Sequence, residues 1–305
     1  MREVPAEPRL SRAASRTPNR LVIVRFCGQN DVVDLAGTQT GEHVLLAAVA
    51  HARTEFGENL AACYAIGSLA HGGFAPLVSD VDLVTVLNDG DAEVKEGILR
   101  VTDAVRQQFE SPLAQRLSVF WSDWSGVRSG AGPTHRLPAI DRLDLLESGR
   151  LLYGQDNRQP ATVPTHNELI IDSAEFALSK IDESYRADLH HPSRLVAAGT
   201  RAVTKKTLFP VRFLYTLATS KIGRNQDAIE WYRGRSYQLV QAAARWRNEG
   251  LDATADALLA VHLNELYIEF VDAYIDAATT LNQADYTLRL IQLRGYLVKE
   301  AENGR

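Results

Sequence analysis

Cysteine is scarce in this chain, with only Cys27 and Cys63 in 305 residues. Two thiols are too few for a disulfide framework or a thiolate metal cluster, so neither class of protein fits. Apolar residues lie beside both cysteines. We therefore expect two buried, inert thiols and assign them no chemistry.

Long hydrophobic runs and a large excess of one charge are also absent. No stretch reaches 18 consecutive apolar residues, so no transmembrane helix is expected. The first 20 residues carry five arginines and lack the apolar core of a secretory signal. The net charge of −5 disfavours binding to nucleic acid or a membrane surface through bulk charge. We expect a cytoplasmic protein that does not bind membranes.

The remaining composition is that of a globular protein, with 45% hydrophobic and 23% charged residues. Residues 1–38 are expected to form a poorly ordered tail. Hydrophobic periodicity predicts an α/β domain over 39–155 and an all-α helical bundle domain over 165–305. The predicted strands are 62–66, 81–87, 117–121 and 150–153, and the predicted helices are 41–56, 91–109, 140–146, 167–188, 193–221, 225–248, 252–280 and 283–301.

Two aspartates, Asp80 and Asp82, stand at the start of the second predicted strand. Alternate residues of a strand point to one face, so the two carboxylates project together while Val81 and Leu83 face the core. Neighbouring carboxylates repel each other, and leaving them unpaired is costly. A divalent cation resolves this, since Mg²⁺ takes one or two protein carboxylates plus substrate phosphate oxygens.

The dipeptide Gly67-Ser68 ends the preceding predicted strand, and eleven residues separate it from Asp80. Glycine lets the backbone approach a phosphate closely, and the serine hydroxyl and backbone N–H groups can hold terminal phosphates. Together with the aspartates, this turn predicts a phosphate and metal site. The structural alternative is that Asp80 caps the loop and Asp82 faces solvent.

The stretch GSLAHGGFAPLVSDVDL, residues 67–83, resembles the motif of the nucleotidyltransferase superfamily that includes DNA polymerase β. That motif is Gly-Ser, a spacer and Asp-x-Asp. The layout of the chain is similar to the bacterial adenylyltransferases that modify streptomycin and spectinomycin, over roughly residues 40–300. The resemblance implies an α/β (α+β) nucleotidyltransferase domain with a small mixed sheet, followed by an all-α helical bundle domain.

The resemblance also implies an activity. The expected reaction is a Mg²⁺-dependent transfer of a nucleoside monophosphate, AMP from ATP, to an acceptor hydroxyl on a small molecule or macromolecule. Asp80 and Asp82 become ligands of two Mg²⁺ ions, and Gly67 and Ser68 become the contact to the triphosphate.

Two basic positions follow from the same resemblance. Arg212 falls where these enzymes place a phosphate-binding arginine. Their neighbouring lysine falls near Asn225 in this chain, so Lys221 or Arg224 has to replace it.

A third carboxylate is expected on the next central strand of this superfamily, often as the general base. The predicted strand 117–121 contains no acid. Asp123 lies just past its end and is the best remaining candidate for a third catalytic residue. If Asp123 does not reach the pair, the acceptor is activated by metal alone, or the protein is a weak or inactive relative.

The second domain carries a basic run where the adenylyltransferases have an acidic stretch. This run forms a solvated face, or it faces the cleft and suits ATP phosphates or an anionic acceptor. Aminoglycosides are polycations that need an acidic pocket, so the run disfavours antibiotic modification. Its members are Arg194, Arg201, Lys205, Lys206 and Arg212.

Two further features are assigned no chemistry. His71 could touch phosphate, but we interpret it as a surface residue of the loop after the Gly-Ser turn. The segment 140–150, with Asp141 and Asp144, is interpreted as a helix that stabilises the first domain through salt bridges.

Two other functions stay open. The missing strand carboxylate favours a catalytically weak or inactive regulatory protein, antitoxin-like, that binds a nucleotide or a partner protein. The basic run favours a transferase acting on nucleic-acid ends, which the acidic net charge disfavours.

Overall fold

The computed structural model describes residues 35–89, 93–131 and 136–303. The first helix, α1 (Leu35–Phe56), leads through a 3-10 turn (Gly57–Asn59) into the first strand. Residues 35–38, which the sequence assigned to the tail, are therefore helical. Cys27 and the rest of the tail lie outside the described residues.

A four-stranded sheet forms the centre of the α/β part, in the order β3-β2-β1-β4. β2 runs parallel to β3, whereas β1 is antiparallel to both β2 and β4, so the sheet is mixed as expected. The strands are short, mostly apolar runs, and β2 is rich in β-branched residues, as suits a buried central strand. The elements are β1 (Leu60–Ile66), α2 (Ser68–His71), β2 (Val81–Leu87), α3 (Val94–Gln108), α4 (Pro112–Gln115), β3 (Leu117–Asp123), α5 (Trp124–Ser129), α6 (Ala139–Ser148) and β4 (Arg150–Gly154).

The register of the sheet gathers the motif at one end of three strands. Ile66, the last residue of β1, pairs with Asp82 on β2. Asp82 in turn pairs with Ser118 on β3. Because paired residues lie side by side across a sheet, the turn at Gly67 begins directly beside Asp82.

The two faces of the sheet pack against different helices. Val81 and Leu83 belong to a core formed with α1 and α3. Val84 packs on the opposite face with Leu145 of α6. Since Asp82 and Val84 are two residues apart, the Asp82 carboxylate points toward the α6 side of the sheet.

Among the described residues after Gly154, helices are the only regular secondary structure. Tyr267, Phe270 and Tyr274 lie on one face of the longest of these helices and are fully buried, together with Trp246. Their spacing of three and four residues is that of a helix packing into a core. The helices are α7 (His166–Lys180), α8 (Glu183–His190), α9 (Pro192–Ala197), α10 (Thr200–Thr219), α11 (Asn225–Trp231), α12 (Tyr237–Glu249), α13 (Ala255–Thr280) and α14 (Ala284–Asn303).

Three of the long helices predicted from periodicity are interrupted. Asp182 accepts a hydrogen bond from the Tyr185 backbone N at 2.7 Å and starts a new helix, which divides the predicted helix 167–188. Gly199, with φ +92°, separates α9 from α10. Residues 232–236 separate α11 from α12.

The α/β part and the helical part share contacts. Leu143 of α6, Leu169 of α7 and Ile222 form a small apolar cluster between them. The described residues all belong to one compact unit. The domain boundaries 39–155 and 165–305 stay a prediction.

Two other expectations concern burial. Cys63 is fully buried, and burial raises the pKa of its thiol to about 12, as expected for an inert cysteine. Among the described residues, no helix is long and apolar enough to cross a membrane.

Asp172 of α7 caps α6, since its Oδ2 accepts a hydrogen bond from the Ala139 backbone N at 2.5 Å. Losing such a cap typically costs about 1 kcal/mol. We expect Asp172→Ala to lower the free energy of unfolding by about 1 kcal/mol in urea titrations. The control Asp276→Ala, at an exposed position of α13, should change it by less than about 0.5 kcal/mol. Equal losses in the two variants would contradict the capping role.

Candidate active site

A glycine turn at the end of β1 lies against the carboxylate of Asp82. Gly67 has φ +68°, a conformation that other residues rarely adopt. A Cβ atom at Gly67 would lie 2.6 Å from Asp82 Oδ2. Both constraints require glycine here, and Ser68 follows as the first residue of α2. The turn and the second aspartate of the motif are therefore in direct contact.

Asp82 carries a carboxyl group without a donor, since it accepts no hydrogen bond from any described residue. Burial, with the charges of Asp80 and Asp141, raises its pKa to about 8. At neutral pH this group is therefore mostly protonated unless a cation stabilises the carboxylate.

Asp80 is held in the opposite state by two cations from the helical part. Arg201 Nη2 donates to Asp80 Oδ1 at 2.5 Å, and Lys205 pairs with Oδ2. Arg201 and Lys205 are four residues apart on α10, so both face the same carboxylate. Although burial opposes ionisation, Lys205 and then Arg201 hold the pKa of Asp80 below its ordinary value.

Helix α6 brings a further acid, Asp141, that the sequence analysis took as structural. Burial raises the pKa of Asp141 to about 7, with Arg212 opposing the shift and Asp144 adding to it. The negative charge of Asp141 contributes to the raised pKa of Asp82. Asp141 accepts no hydrogen bond from the residues that the structure describes.

Asp144, one turn later on α6, supports the glycine turn. Its Oδ2 accepts a hydrogen bond from the Gly67 backbone N at 2.7 Å, and its Oδ1 accepts one from Ser148 Oγ at 2.5 Å. The signal in the sequence was the spacing: Asp141 and Asp144 are three residues apart and share a helix face.

Asp123 is not brought to the site, contrary to the sequence analysis. It pairs with Leu87, whereas Asp82 pairs with Ser118, and the two strands are parallel. Five residues of β3 separate Ser118 from Asp123, which amounts to roughly 16 Å. Asp123 instead caps α5, accepting a hydrogen bond from the Gly126 backbone N at 2.6 Å. The side chain beside Asp82 on β3 is the Ser118 hydroxyl.

The basic candidates take different places. Arg212 is exposed, donates through Nε to the Gly223 carbonyl at 2.5 Å, and its charge acts on Asp82. Arg224 Nη2 lies 3.3 Å from Ser148 Oγ, beside the supporting end of α6. Lys221 is exposed, and no described site residue contacts its amine. The structure thus brings Arg212 and Arg224 to the site and leaves Lys221 outside it.

His71 is a residue of the site rather than of the surface, which corrects the sequence interpretation. Its side chain is only 11% exposed, and Nε2 lies 4.0 Å from Asp144 Oδ2. Burial lowers its pKa, and Arg224 lowers it further, while Asp144 opposes the change. His71 is therefore neutral at physiological pH.

The described residues contain no group of three His, Cys, Asp or Glu side chains arranged to hold a metal ion. The acids are instead balanced by a proton on Asp82, by partial protonation of Asp141 and by the cations on Asp80. A cation or a substrate that enters this site therefore has to displace protons or protein cations.

The raised pKa of Asp82 predicts a pH-dependent stability. The folded protein keeps this proton up to about pH 8, whereas the unfolded chain releases it near pH 4. Stability from this site thus falls between those values as pH rises.

Asparagine cannot ionise, so Asp82→Asn should equal the parent chain in stability near pH 4 and gain on it by up to about 1.4 kcal/mol for each pH unit between pH 4 and 8. Urea titrations at both pH values measure this. The exposed control Asp285→Asn should show no such trend. A constant difference between Asp82→Asn and the parent would contradict the buried, protonated state.

Comparison with known proteins gives a likeness of fold. No protein-family model and no curated protein sequence matches the chain. Five chains of solved structures match. One is the spectinomycin adenyltransferase AAD(9) from Enterococcus faecialis, determined with ATP and spectinomycin, with a TM-score of 0.50 and 15% identity. The alignment covers 77% of this chain and 98% of that one. The mixed sheet and the helices of this chain are thus arranged as in an adenylyltransferase.

Proposed function

We propose that this protein is a Mg²⁺-dependent nucleotidyltransferase that moves AMP from ATP to an acceptor hydroxyl. The contact between the Gly67 turn and Asp82 carries the proposal. It sets a backbone suited to phosphate against a buried carboxyl group that has no donor of its own. The fold likeness to an enzyme determined with ATP supports the choice of nucleotide.

The donor set of the site suits Mg²⁺. Hard cations prefer oxygen ligands, and Asp80 and Asp82 would hold the ion or, by the family resemblance, two ions. Asp82 is a buried acid whose carboxylate a cation would stabilise. Asp80 would exchange its ion pairs with Arg201 and Lys205 for the metal. When bound, Mg²⁺ supplies neutralisation of the phosphates and of the leaving group.

The nucleotide phosphates would lie on the β1 side of the aspartates. The Ser68 hydroxyl would contact the terminal phosphates, and the Gly67 N–H would have to leave Asp144 Oδ2 to do the same. Arg212 and Arg224 neutralise the negative charge that develops during transfer, because both guanidinium groups approach the turn. Lys221 is exposed, so it would meet the nucleotide only at the solvent side of the site.

The chemical step needs an acceptor for one proton. The acceptor oxygen attacks the α-phosphorus, the bond between that phosphorus and the bridging oxygen to the β-phosphate breaks, and pyrophosphate leaves. The hydroxyl proton passes to Asp141, whose pKa of about 7 suits a general base at physiological pH. Asp141 takes the role that the sequence analysis gave to Asp123.

A second function is favoured by two observations. Ser118 stands beside Asp82 where an acid is expected, and Asp80 is neutralised by Arg201 and Lys205. Both fit a regulatory protein that binds ATP without transferring it. Calorimetry with Mg²⁺ and ATP, together with an assay for pyrophosphate, separates the two functions, since only the regulatory protein binds without releasing pyrophosphate.

The first activity test uses ATP labelled at the α-phosphate, Mg²⁺ and a cell extract as the source of acceptor. We expect a labelled product and pyrophosphate release, both abolished by EDTA. Asp82→Asn should lower the rate by at least about 100-fold, because the group that holds the metal and phosphates loses its charge. Asp285→Asn serves as the exposed control. No labelled product from the parent chain would support the regulatory function instead.

A second test compares Asp141 with Asp123. Asp141→Asn should slow pyrophosphate release by about 100-fold or more, as expected for loss of a general base. Asp123→Asn should stay within about twofold of the parent rate, because asparagine can still cap α5. The reverse order of the two variants would return the third catalytic role to Asp123.

A further inference from the structure

A cavity of about 440 Å³ adjoins the candidate active site. It runs along the edge strand β3 and is walled by α3 and by the first turns of α10. Asp80 and Ser118 belong to its lining. A ligand in this cavity would therefore lie beside Asp80, whereas the Asp82 carboxylate points to the α6 side of the sheet.

The lining of the cavity is strongly cationic. Its described residues include six basic side chains, and Asp80 is the one carboxylate among them. This local excess of positive charge stands in a chain whose net charge is −5. The basic residues are Lys95, Arg106, Arg116, Arg136, Arg201 and Lys205.

The protein does not use all of these donors itself. Asp80 pairs with Arg201 and Lys205, Arg106 Nη1 pairs with Asp103 at 3.2 Å, and Arg116 Nη1 donates to the Pro76 carbonyl at 2.8 Å. The Nε groups of Arg106 and Arg201 are buried and have no hydrogen-bond partner among the described residues. Burial lowers the pKa of Arg116, and the positive charge of nearby Arg201 lowers it further. An anion in the cavity would use the free donors and relieve this repulsion.

The cavity and the glycine turn lie on opposite sides of the aspartates. β2, which carries Asp82, is flanked by β1 on one side and β3 on the other. The turn follows β1, and the cavity lies along β3. A ligand in the cavity would therefore approach the aspartates from the β3 side, away from the glycine turn.

We propose that the cavity binds the acceptor and that the acceptor is a small hydroxyl-bearing phosphate monoester. This inference rests on the proposed function and names its substrate class. Arginine forks and a lysine are suited to a phosphate group, and the volume is that of a small-molecule site. A polycationic aminoglycoside would meet six like charges here and be excluded.

Calorimetry on the full chain tests the proposal. The nucleotide site is first saturated with Mg²⁺ and adenosine 5′-(α,β-methylene)triphosphate, whose bridging carbon prevents transfer. Glycerol 3-phosphate and ribose 5-phosphate are then titrated, with glycerol and ribose as neutral probes. We expect one saturable site for the phosphates and none for the neutral compounds.

Variants locate the bound phosphate. Lys95→Gln and Arg106→Gln should each raise the dissociation constant about tenfold, as expected for the loss of a charge-assisted hydrogen bond. Arg100→Gln is the matched control, because Arg100 lies on the same helix, pairs with Glu55 and is not part of the lining. Thermal unfolding of each variant confirms that it is folded.

Four outcomes would overturn the proposal. They are no binding of either phosphate, equal weakening by Arg100→Gln, displacement of the phosphates by the nucleotide analogue, and tighter binding of a 5′-phosphorylated RNA with a steep salt dependence. Failure of the proposed function looks different. ATP would then give no pyrophosphate, with or without binding of the analogue, while the phosphates would still bind and still depend on Lys95 and Arg106.

Discussion

The contact between Gly67 and Asp82 is the constraint on which the site depends. Asp82 pairs with Ile66, the last residue of β1. If β1 continued straight past Ile66, the carboxylate of Asp82 would stay open to solvent. The positive φ of Gly67 bends the chain at that point, and the missing side chain leaves room for Oδ2. The close contact between Gly67 and Asp82 helps to keep water from the carboxyl group. Burial in turn raises the pKa of Asp82, so that its ionised form needs a cation beside it.

The charge of the site is balanced between two parts of the chain. The sheet supplies Asp80 and Asp82, α6 supplies Asp141, and α10 supplies Arg201 and Lys205. Asp82 is neutralised by a proton and Asp80 by two cations, while Asp141 is partly protonated at neutral pH, so the negative charge of the site is reduced without a bound ion. The same ion pairs link α10 to the sheet. A cation that displaces them therefore also releases a contact between the helical part and the α/β part, which couples binding to the approach of α10.

The sequence predicted best what depends on local pattern. The four strands are short, mostly apolar runs. The Gly-Ser turn and the Asp-x-Asp pair adjoin two of them, so their contact needs only one sheet register. Asp123 failed because β3 extends two residues further than predicted and runs parallel to β2, which carries the acid away from the pair. Asp141 was missed because its approach to Asp82 arises from packing α6 across the sheet, and no local periodicity encodes that contact. The helix breaks at Asp182 and Gly199 are capping effects within otherwise continuous periodicity.

The likeness to an adenylyltransferase at 15% identity separates two kinds of requirement. The glycine turn requires a positive φ at Gly67, so few sequences can form it. The cavity walls on α3 and α10 demand only side chains of suitable size, which can change charge without disturbing the sheet. The local excess of positive charge beside Asp80 is carried by side chains on the walls of this cavity, which can vary while the sheet and the glycine turn are kept.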